Sequence, residues 1–321
     1  MKVFITRVIL EKGIQVLKNA GISFTEWTEQ RGLTAQELVE HCTGYDALLT
    51  AGSDKIDKNF LNTCSHLKVI SLHSVGYDNV DIAEATRLRI PVGNTPGVLS
   101  NATADTAFLL MLATSRNAFN MHKSIEKDQW KFFTPGANLG IELSGKTLGI
   151  FGLGKIGYEM AKRCKGAYGM NIIYHNRHIN ELAEKNLGAG KVSFDELLQQ
   201  SDVLSVHTSL TPQTKEIFNA AAFKKMKANA IFINSARGGI HNETDLTAAL
   251  QQKIIWGAGL DVTNPEPMGH DNPLLNMPNV CVLPHIGSAT VEARNEMSRL
   301  AAENVVAGLK GLPLPNWVNP F

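Results

Sequence analysis

Short apolar runs alternate with amphipathic stretches along the second half of the chain. The apolar runs have the length of strands and occupy residues 148–151, 171–175, 202–207, 230–235, 257–262 and 280–283. Segments with helical spacing, such as FDELLQQ, AAFKKMK and ETDLTAALQQ, lie between most of them. Apolar strands that alternate with helices are typical of a parallel sheet covered on both faces. The pattern therefore predicts a doubly wound α/β domain of six strands over residues 100–288.

The N-terminal part of the chain shows the same alternation on a smaller scale. Apolar runs at 3–6, 22–27, 47–50 and 68–73 predict strands, and segments at 11–19, 34–42, 58–64 and 82–88 predict helices. Near its end the chain has one long helix, predicted over 290–309, and a proline-rich tail. Because a lone helix cannot form a domain, we expect it to return to the N-terminal unit.

These patterns predict two domains, one of which is discontinuous. Residues 1–99 and 289–321 form the smaller domain, and residues 100–288 form the larger domain inserted into it. The chain crosses between the domains at 96–99 and at 287–289, two neighbouring points that would act as a hinge. The cleft between the domains is then the expected place of an active site.

The run TLGIFGLGKIG, residues 147–157, has the glycine spacing of a dinucleotide-binding loop. It begins with an apolar strand and continues into the helical stretch IGYEMAKRC. Gly152 would permit the tight turn, Gly154 would let backbone N–H groups approach a pyrophosphate, and Gly157 would let the helix lie close to the strand. This context favours a nucleotide site over an ordinary glycine-rich loop.

Three residues near the predicted carboxyl ends of strands are candidates for chemistry: Arg237, Glu266 and His285. Ligands of open α/β sheets bind beyond these strand ends. Each residue also has a structural explanation, since Arg237 could be a solvated turn residue, Glu266 part of a rigid proline loop, and His285 a structural histidine. Their joint occurrence behind a dinucleotide motif favours a catalytic group.

The chain resembles the D-isomer-specific 2-hydroxyacid dehydrogenases over essentially its full length, and most of all their glyoxylate and hydroxypyruvate reductase branch. Several motifs in the family's order carry the similarity: HSVGYDNVD at 73–81, NATADTAFLLMLATSRN at 101–117, GKTLGIFGLGKIG at 145–157, FINSARGG, GAGLDVTNPEP at 257–267 and LPHIGSAT at 283–290. The resemblance implies a Rossmann nucleotide domain inserted into a smaller flavodoxin-like α/β substrate domain.

The resemblance and the chemistry of 2-oxo acids assign the same roles. The planar guanidinium of Arg237 would bind the substrate carboxylate in a bidentate manner. His285 would protonate the carbonyl oxygen as hydride arrives, and would act as the base in the reverse reaction. Glu266, where similar-looking formate dehydrogenases have Gln, would fix the tautomer of His285 and favour its protonated form. Backbone N–H groups of the smaller domain would hold the same carboxylate, at Ser74, Val75 and Gly76.

The sequence IIYHNRH, after the second strand of the larger domain, predicts the cofactor. NAD-dependent enzymes usually carry Asp or Glu there for the ribose hydroxyls. Asn176 stands in that place and Arg177 follows it, which favours NADP(H), with NAD(H) as the alternative if Arg177 points to solvent. Ser209 replaces a proline that is usual in the family. The resemblance implies further cofactor contacts at Thr103, Gly152, Gly154, Lys155, Ile156, Thr208, Ser209, Thr214, Ser235, Ala236, Asp261, His285 and Ser288.

The stretch 102–128 predicts one long helix, very apolar in AFLLMLA, followed by the aromatic residues Trp130, Phe132 and Phe133. A helix buried inside its own domain is one interpretation. Its length and the family resemblance favour the other, the arm of a homodimer. The aromatic loop would then be placed to reach the partner's active site, although the sequence does not decide whether it does.

Composition narrows the function classes without choosing one. The chain has 321 residues, 44% of them hydrophobic, and a formal net charge of +1, which favours neither a nucleic-acid nor a membrane partner. Apolar runs stay far below the ~20 residues of a bilayer span, and the N-terminus lacks a signal-peptide cleavage pattern. The four cysteines have no metal-binding spacing and lie at Cys42, Cys64, Cys164 and Cys281. We therefore expect no metal site. We also expect reduced thiols in the core of a cytoplasmic protein.

Two questions of function stay open in the sequence. Loops form the pocket for the rest of the substrate, so D-lactate, D-glycerate, 2-ketogluconate and bulkier 2-hydroxy acids are alternatives to glyoxylate and hydroxypyruvate chemistry. A distant alternative is a nucleotide-sensing binding module that resembles the corepressors of the C-terminal-binding-protein kind. Such regulators can retain the Arg, Glu and His, but typically carry extra terminal segments that this sequence does not show.

Overall fold

The computed structural model describes residues 1–52 and 54–321, which divide into two compact units. The first unit contains Met1–Leu99 and Ser288–Phe321, and the second contains Ser100–Gly287. The division differs by one residue from the predicted boundary, because Ser288 groups with the first unit. Each unit has its own sheet and its own hydrophobic core.

The N-terminal segment alternates strands and helices. Its strands are β1 (Lys2–Ile5), β2 (Ser23–Glu26), β3 (Ala47–Thr50), β4 (Val69–Leu72) and β5 (Val92–Gly93). Its helices are α1 (Glu11–Asn19), α2 (Ala35–Cys42), α3 (Lys58–Thr63) and α4 (Ile82–Arg87). A capping box explains the start of α2, because the Thr34 side chain accepts a hydrogen bond from the Glu37 amide and the Glu37 carboxylate accepts one from the Thr34 amide.

The second unit opens with helices and continues as alternating strands and helices. Its helices are α5 (Ser100–Ser115), α6 (Ala118–Glu126), α7 (Lys155–Tyr168), α8 (Glu181–Leu187), α9 (Phe194–Gln200), α10 (Ala220–Lys225) and α11 (Glu243–Gln251). Its strands are β6 (Thr147–Phe151), β7 (Asn171–His175), β8 (Gly190–Lys191), β9 (Val203–Val206), β10 (Ile231–Asn234), β11 (Gly257–Leu260) and β12 (Val280–Val282). The chain then returns to the first unit as α12 (Val291–Leu309).

The described part of the first unit forms a five-stranded parallel sheet in the order β2-β1-β3-β4-β5. The strand order reverses between β1 and β3, as in flavodoxin-like sheets. Helix α12 packs on this sheet, and the Ser71 hydroxyl of β4 donates a hydrogen bond to the Ala301 carbonyl at 2.8 Å. β5 is not among the predicted strands, because a strand of two residues shows no periodicity.

The second unit, all of whose residues the structure describes, has a seven-stranded parallel sheet in the order β12-β11-β10-β9-β6-β7-β8. This is the predicted doubly wound α/β arrangement, with apolar strands covered by helices on both faces. The predicted number of six strands is wrong, because β8 adds a two-residue edge strand. Both of its residues are exposed, so it has no hydrophobic signal.

The predicted single helix over 102–128 is also wrong, since α5 and α6 are separated near Asn117. Asn117 has a φ of 51°, in the left-handed region, where asparagine is tolerated better than most residues. The apolar stretch AFLLMLA belongs to α5, whose Leu110 and Met111 are fully buried. In α6, all of whose residues are described, none is buried.

Gly308 in α12 lies directly against β4, and this makes it a poor position for alanine. A Cβ atom at Gly308 would lie 2.4 Å from Cβ of Val69. Gly308→Ala should therefore lower the free energy of unfolding by roughly 1 to 3 kcal/mol, as overpacking does in other cores. Urea denaturation followed by circular dichroism measures this change.

Gly166 in α7 is the matched control, because a Cβ atom there would meet no described atom within 4 Å. Gly166→Ala should raise the free energy of unfolding by up to about 1 kcal/mol through helix propensity alone. If both alanine variants were equally stable, the close approach of α12 to β4 would be contradicted.

Candidate active site

The loop between β6 and α7 requires glycine at two of its three glycine positions. Gly152 has a φ of +98°, and a Cβ atom there would lie 2.8 Å from the carbonyl carbon of His207. A Cβ atom at Gly157 would lie 2.7 Å from the Gly152 carbonyl oxygen. At Gly154, in contrast, a Cβ atom would meet no described atom within 4 Å, so the loop is open on that side.

The N-terminus of α7 faces this open side of the loop. Gly154 is its N-cap residue, and in the described chain no side chain caps the helix. Lys155 and Ile156 begin the helix, so their N–H groups have no partner within it. Such N–H groups, at the positive end of a helix dipole, fit a pyrophosphate.

Ser235, directly after β10, has a buried hydroxyl without a hydrogen-bond partner among the described residues. Buried hydroxyls are normally hydrogen-bonded, so this oxygen suits a polar group of a bound molecule. The next residue, Ala236, is fixed because its amide donates to Oδ1 of Asn234 at 2.9 Å. Together with the glycine loop, Ser235 shows that the residues present fit a dinucleotide.

The residues that follow β7, Asn176, Arg177 and His178, carry no negative charge. Oδ1 of Asn176 accepts a hydrogen bond from the Leu153 amide at 2.7 Å, and its Nδ2 donates to the Leu153 carbonyl at 3.2 Å. Asn176 therefore holds the glycine-rich loop in place. Arg177 and His178 are exposed.

His285 and Glu266 form a hydrogen-bonded pair in the second unit. Nδ1 of His285 lies 2.5 Å from Oε1 of Glu266. The two residues come from different loops, His285 after β12 and Glu266 after β11. Their side chains are 45% and 33% exposed, so both reach solvent. Because Nδ1 is engaged with the carboxylate, Nε2 is the nitrogen that remains for proton exchange with a substrate.

A buried carboxylate holds the turn that carries His285. Asp261, which is 1% exposed, accepts hydrogen bonds from the Ile286 amide at 2.8 Å and from the Gly287 amide at 2.7 Å. His285 itself has a φ of 54°, in a region that residues other than glycine rarely adopt. Asp261 is also a predicted cofactor residue. Its contacts in the structure are with the turn, and a nicotinamide contact stays a prediction.

Arg237 lies in a turn after β10 that is fixed by Asn234 and His241, neither of which is a predicted site residue. Nδ2 of Asn234 donates to the Arg237 carbonyl at 2.9 Å and lies 3.0 Å from Nδ1 of His241. Asn234 and His241 are both fully buried. In the sequence, Asn234 could have been noticed as a polar residue at the end of the apolar strand IFIN.

The charges of the site act on both of its carboxylates. Partial burial raises the pKa of Glu266, but the hydrogen bond to His285 and the charges of His285 and Arg237 outweigh it, so the pKa lies below its ordinary value. Arg237, Glu266 and His285 therefore share one electrostatic neighbourhood. In Asp261, burial raises the pKa above its ordinary value, and the amides of Ile286 and Gly287 oppose this only in part.

The turn of Ser74, Val75 and Gly76 lies in the first unit and is separated from the end of β4 by His73. The Ser74 carbonyl accepts a hydrogen bond from the Thr95 amide at 2.9 Å, and the Val75 carbonyl accepts one from Nδ2 of Asn94 at 2.9 Å. In a trans peptide the N–H points away from the C=O. The amides of Val75 and Gly76 therefore point away from Asn94 and Thr95, as a carboxylate-binding turn requires.

The remaining predicted cofactor residues lie in loops at strand ends or in helices. Thr208 and Ser209 follow β9, and the Thr214 hydroxyl closes this loop by donating to the Ser209 carbonyl at 2.8 Å. Thr103 is buried in α5, and its methyl group lies 3.3 Å from where a Cβ of Gly287 would be. Ser288 belongs to the first unit. The cofactor contacts of these residues stay predictions.

The structure adds three observations that concern other kinds of site. The four cysteines are free and buried. Within residues 1–52 and 54–321, no group of His, Cys, Asp and Glu is arranged to hold a metal ion. Of the helices in that part of the chain, none has the length and apolar character needed to cross a membrane.

Comparisons with known proteins agree with this geometry. Residues 108–287 match the family described as D-isomer specific 2-hydroxyacid dehydrogenase, NAD binding domain. Glyoxylate reductase from Thermococcus litoralis is 44% identical over 99% of this chain and 96% of its own length. A crystal structure of a protein from Thermus thermophilus has a TM-score of 0.91 and 38% identity, over 99% of this chain and 100% of that chain.

A third relative is a solved NADPH-dependent glyoxylate/hydroxypyruvate reductase from Sinorhizobium meliloti, in complex with NADP and malonate. It has a TM-score of 0.83 and 29% identity, over 99% of this chain and 96% of that chain. The glycine loop, the sheet order and the matched family all indicate a nicotinamide cofactor in the second unit. The chain belongs to the family of D-isomer-specific 2-hydroxyacid dehydrogenases and is an NAD(P)-dependent oxidoreductase.

Proposed function

We propose that this protein reduces a small 2-oxo acid of the glyoxylate or hydroxypyruvate type to the D-2-hydroxy acid, with His285 as the general acid. The observation that carries the proposal is the 2.5 Å contact between Nδ1 of His285 and Oε1 of Glu266, in the field of the Arg237 charge. The described activities of the T. litoralis and S. meliloti relatives support the substrate class.

The residues of this chain divide the work of the reaction. When bound, the nicotinamide supplies hydride to the carbonyl carbon of the substrate. Arg237 binds the substrate carboxylate with its planar guanidinium, a group suited to bidentate contact. A carboxylate contact of the Val75 and Gly76 amides, which lie in the first unit, stays a prediction.

His285 moves the proton. Its Nε2 donates a proton to the carbonyl oxygen as negative charge develops there. Glu266 accepts the hydrogen bond of the Nδ1 proton, which fixes the tautomer and stabilises positive charge on the ring. Because the pKa of Glu266 is lowered, it stays ionised while His285 gains and loses its proton.

For the cofactor we propose a preference for NADP(H) over NAD(H). The residue after β7 is Asn176, so no carboxylate at this position repels a 2′-phosphate. Arg177 is exposed beside it and is available as a cation. The S. meliloti relative, whose structure contains NADP, supports this preference.

We also propose that the protein is a homodimer built on the segment after α5. The loop beyond α6 exposes 73% of Trp130, 79% of Phe132 and 85% of Phe133. Large apolar side chains that cluster at the surface mark interaction sites, and a second copy of the chain would cover them. A cytoplasmic location also stays a prediction.

Replacement of the proposed acid gives the first test of the reaction. His285→Ala should lower kcat for glyoxylate by a factor of about 10² to 10⁴, because general acid catalysis contributes on that order. Binding of NADPH, measured by its fluorescence, should be retained. His270→Ala, which removes an exposed histidine of the same unit, is the control. Turnover of His285→Ala close to that of the His270→Ala control would refute the assignment.

Replacement of the residues after β7 tests the cofactor preference. Asn176→Asp together with Arg177→Ala places a negative charge beside the 2′ position and removes the cation. The aspartate loses the Nδ2 donor of Asn176 but can still accept the Leu153 amide, and Nδ2 of Asn180 still donates to the Leu153 carbonyl at 2.8 Å, so the loop should persist. Since a charged hydrogen bond contributes about 1.5 to 3 kcal/mol, kcat/KM for NADPH should fall at least about tenfold relative to that for NADH. If the ratio of kcat/KM for NADPH to that for NADH were unchanged, or if the wild-type enzyme already preferred NADH strongly, these two residues would not determine recognition of the 2′-phosphate.

A further inference from the structure

The loop that carries Glu266 runs from β11 to the 3-10 turn Pro273–Asn276, and little hydrophobic burial holds it in place. Residues 264–267 and 269–271 are exposed. Between them Met268 is partly buried and packs against the core of the second unit. Because exposed side chains gain little from burial, a loop of this kind needs polar contacts to keep one shape. The contacts between the loop and the rest of the unit therefore determine where Glu266 lies.

Glu243, the first residue of α11, holds this loop on both sides of Glu266. Its Oε2 accepts a hydrogen bond from the Asn264 amide at 2.8 Å, and its Oε1 accepts one from Nδ2 of Asn272 at 2.7 Å. Asn272 is itself fixed as the N-cap of the 3-10 turn, because its Oδ1 accepts the Leu274 amide at 3.0 Å. Hydrogen bonds to a carboxylate are about twice as strong as those between neutral groups. One half-buried side chain thus fixes both ends of an exposed loop.

The start of the loop also lies against the turn that carries Arg237. A Cβ atom at Gly238 would lie 1.8 Å from the Thr263 carbonyl oxygen and 3.0 Å from the Asn264 nitrogen. The peptide between Thr263 and Asn264 therefore packs directly on the backbone next to Arg237. The N–H of the same peptide is the group that donates to the Glu243 carboxylate. The turn of Arg237 and the loop of Glu266 are thus joined at one peptide.

Two further hydrogen bonds of the loop are internal. The Thr263 hydroxyl donates to the Pro265 carbonyl at 2.8 Å, and the Asn272 amide donates to the Gly269 carbonyl at 3.1 Å. These bonds shape the bends of the loop, but they do not connect it to another element. Glu243, in contrast, connects the loop to a helix.

We infer that Glu243 is a positioning residue, which holds the loop so that the Glu266 carboxylate stays on Nδ1 of His285. The inference rests on the proposed function, because this position matters for the reaction only if His285 transfers the proton. Glu243 acts through Glu266 and needs no contact with the substrate or the cofactor. When its two hydrogen bonds are lost, the loop should sample other positions. The protonated ring of His285 then loses part of the stabilisation that a carboxylate partner provides.

Loss of these hydrogen bonds should displace the pH profile of the reaction. Glu243→Ala removes both bonds, and Asn272→Ser removes one without a change of charge, because serine also caps helical turns. Both variants should move the pH profile of kcat/KM for glyoxylate reduction to lower pH, the direction expected for Glu266→Gln. The shift should be at least about 0.3 pH units, a twofold change in a protonation equilibrium. Binding of NADPH, measured by its fluorescence, should be retained.

Asp245→Ala is the matched control in the same first turn of α11. Oδ2 of Asp245 accepts the Ala220 amide at 2.8 Å, so the variant also removes one negative charge and a bond to a backbone amide. Ala220 begins α10, which carries no predicted site residue. The pH profile of Asp245→Ala should coincide with that of the wild-type enzyme. An equal shift in Asp245→Ala and Glu243→Ala would overturn the inference, because the lost charge alone would then explain it.

A double variant tests whether Glu243 acts through Glu266. In the Glu266→Gln background, Glu243→Ala should move the profile by about half as much as in the wild-type background or less, because residues that act through one contact are not additive. If the full shift persisted without the Glu266 carboxylate, the inference would be overturned.

Hydrogen exchange separates this inference from the proposed function. Amide exchange of the segment 263–272, followed by mass spectrometry, needs no turnover. It should become at least about tenfold faster in Glu243→Ala, the usual effect of one charged hydrogen bond, but not in Asp245→Ala. If the wild-type enzyme reduces no 2-oxo acid, the proposed function fails, while faster exchange still supports the hold of Glu243 on the loop and unchanged exchange overturns it. If the enzyme reduces glyoxylate, but Glu243→Ala and Asn272→Ser keep the wild-type pH profile, the inference is overturned and the proposed function stands.

Discussion

The carboxylate of Asp261, buried after β11, accepts the backbone amides of Ile286 and Gly287 at 2.8 and 2.7 Å. These two hydrogen bonds hold the turn after β12 in a shape that gives His285 a φ of 54°. A left-handed conformation costs a residue other than glycine roughly 1 kcal/mol or more. The two hydrogen bonds to Asp261 stabilise the turn against this cost. The contact between Nδ1 of His285 and the Glu266 carboxylate depends on the shape of this turn. The direction in which Nε2 of His285 points depends on it as well. Asp261 is thus a positioning residue for His285, the proposed proton donor.

The sheet of the second unit also positions the loops that carry Arg237, Glu266 and His285. β10, β11 and β12 are neighbours in register, so the loops that carry Arg237, Glu266 and His285 leave the sheet at one edge. Each loop is then fixed by a buried polar group at its own strand end, Asn234 for Arg237 and Asp261 for His285. The side chains of Glu266 and His285 remain exposed at this edge, and Arg237 is half-buried. The fold therefore separates the residues that position these loops from the residues that are proposed to react.

Sequence patterns predicted the two α/β units and most of the helices, because hydrophobic periodicity follows directly from residue type. Strand-end positions also pointed to Arg237, Glu266 and His285, whose catalytic roles stay predictions. They did not predict β5 and β8, whose two residues are too few to show a period. They also joined α5 and α6, since nothing in the apolar pattern signals the left-handed Asn117. The contacts of Asp261, Asn234 and His241 depend on tertiary pairing between distant segments, and a single sequence contains no record of it.

The central claim is that His285, held by Glu266, carries the proton in both directions of the reaction. The most direct test is the pH dependence of kcat/KM for hydroxypyruvate reduction and for D-glycerate oxidation on the same enzyme. Reduction needs the protonated ring and should fall as pH rises, whereas oxidation needs the neutral ring and should rise through the same pH range. Glu266→Gln removes the negative charge beside the ring, so it should move both curves together to lower pH. The account would be contradicted if kcat/KM changed in the same direction with pH for reduction and for oxidation. It would also be contradicted if Glu266→Gln left both pH profiles unchanged.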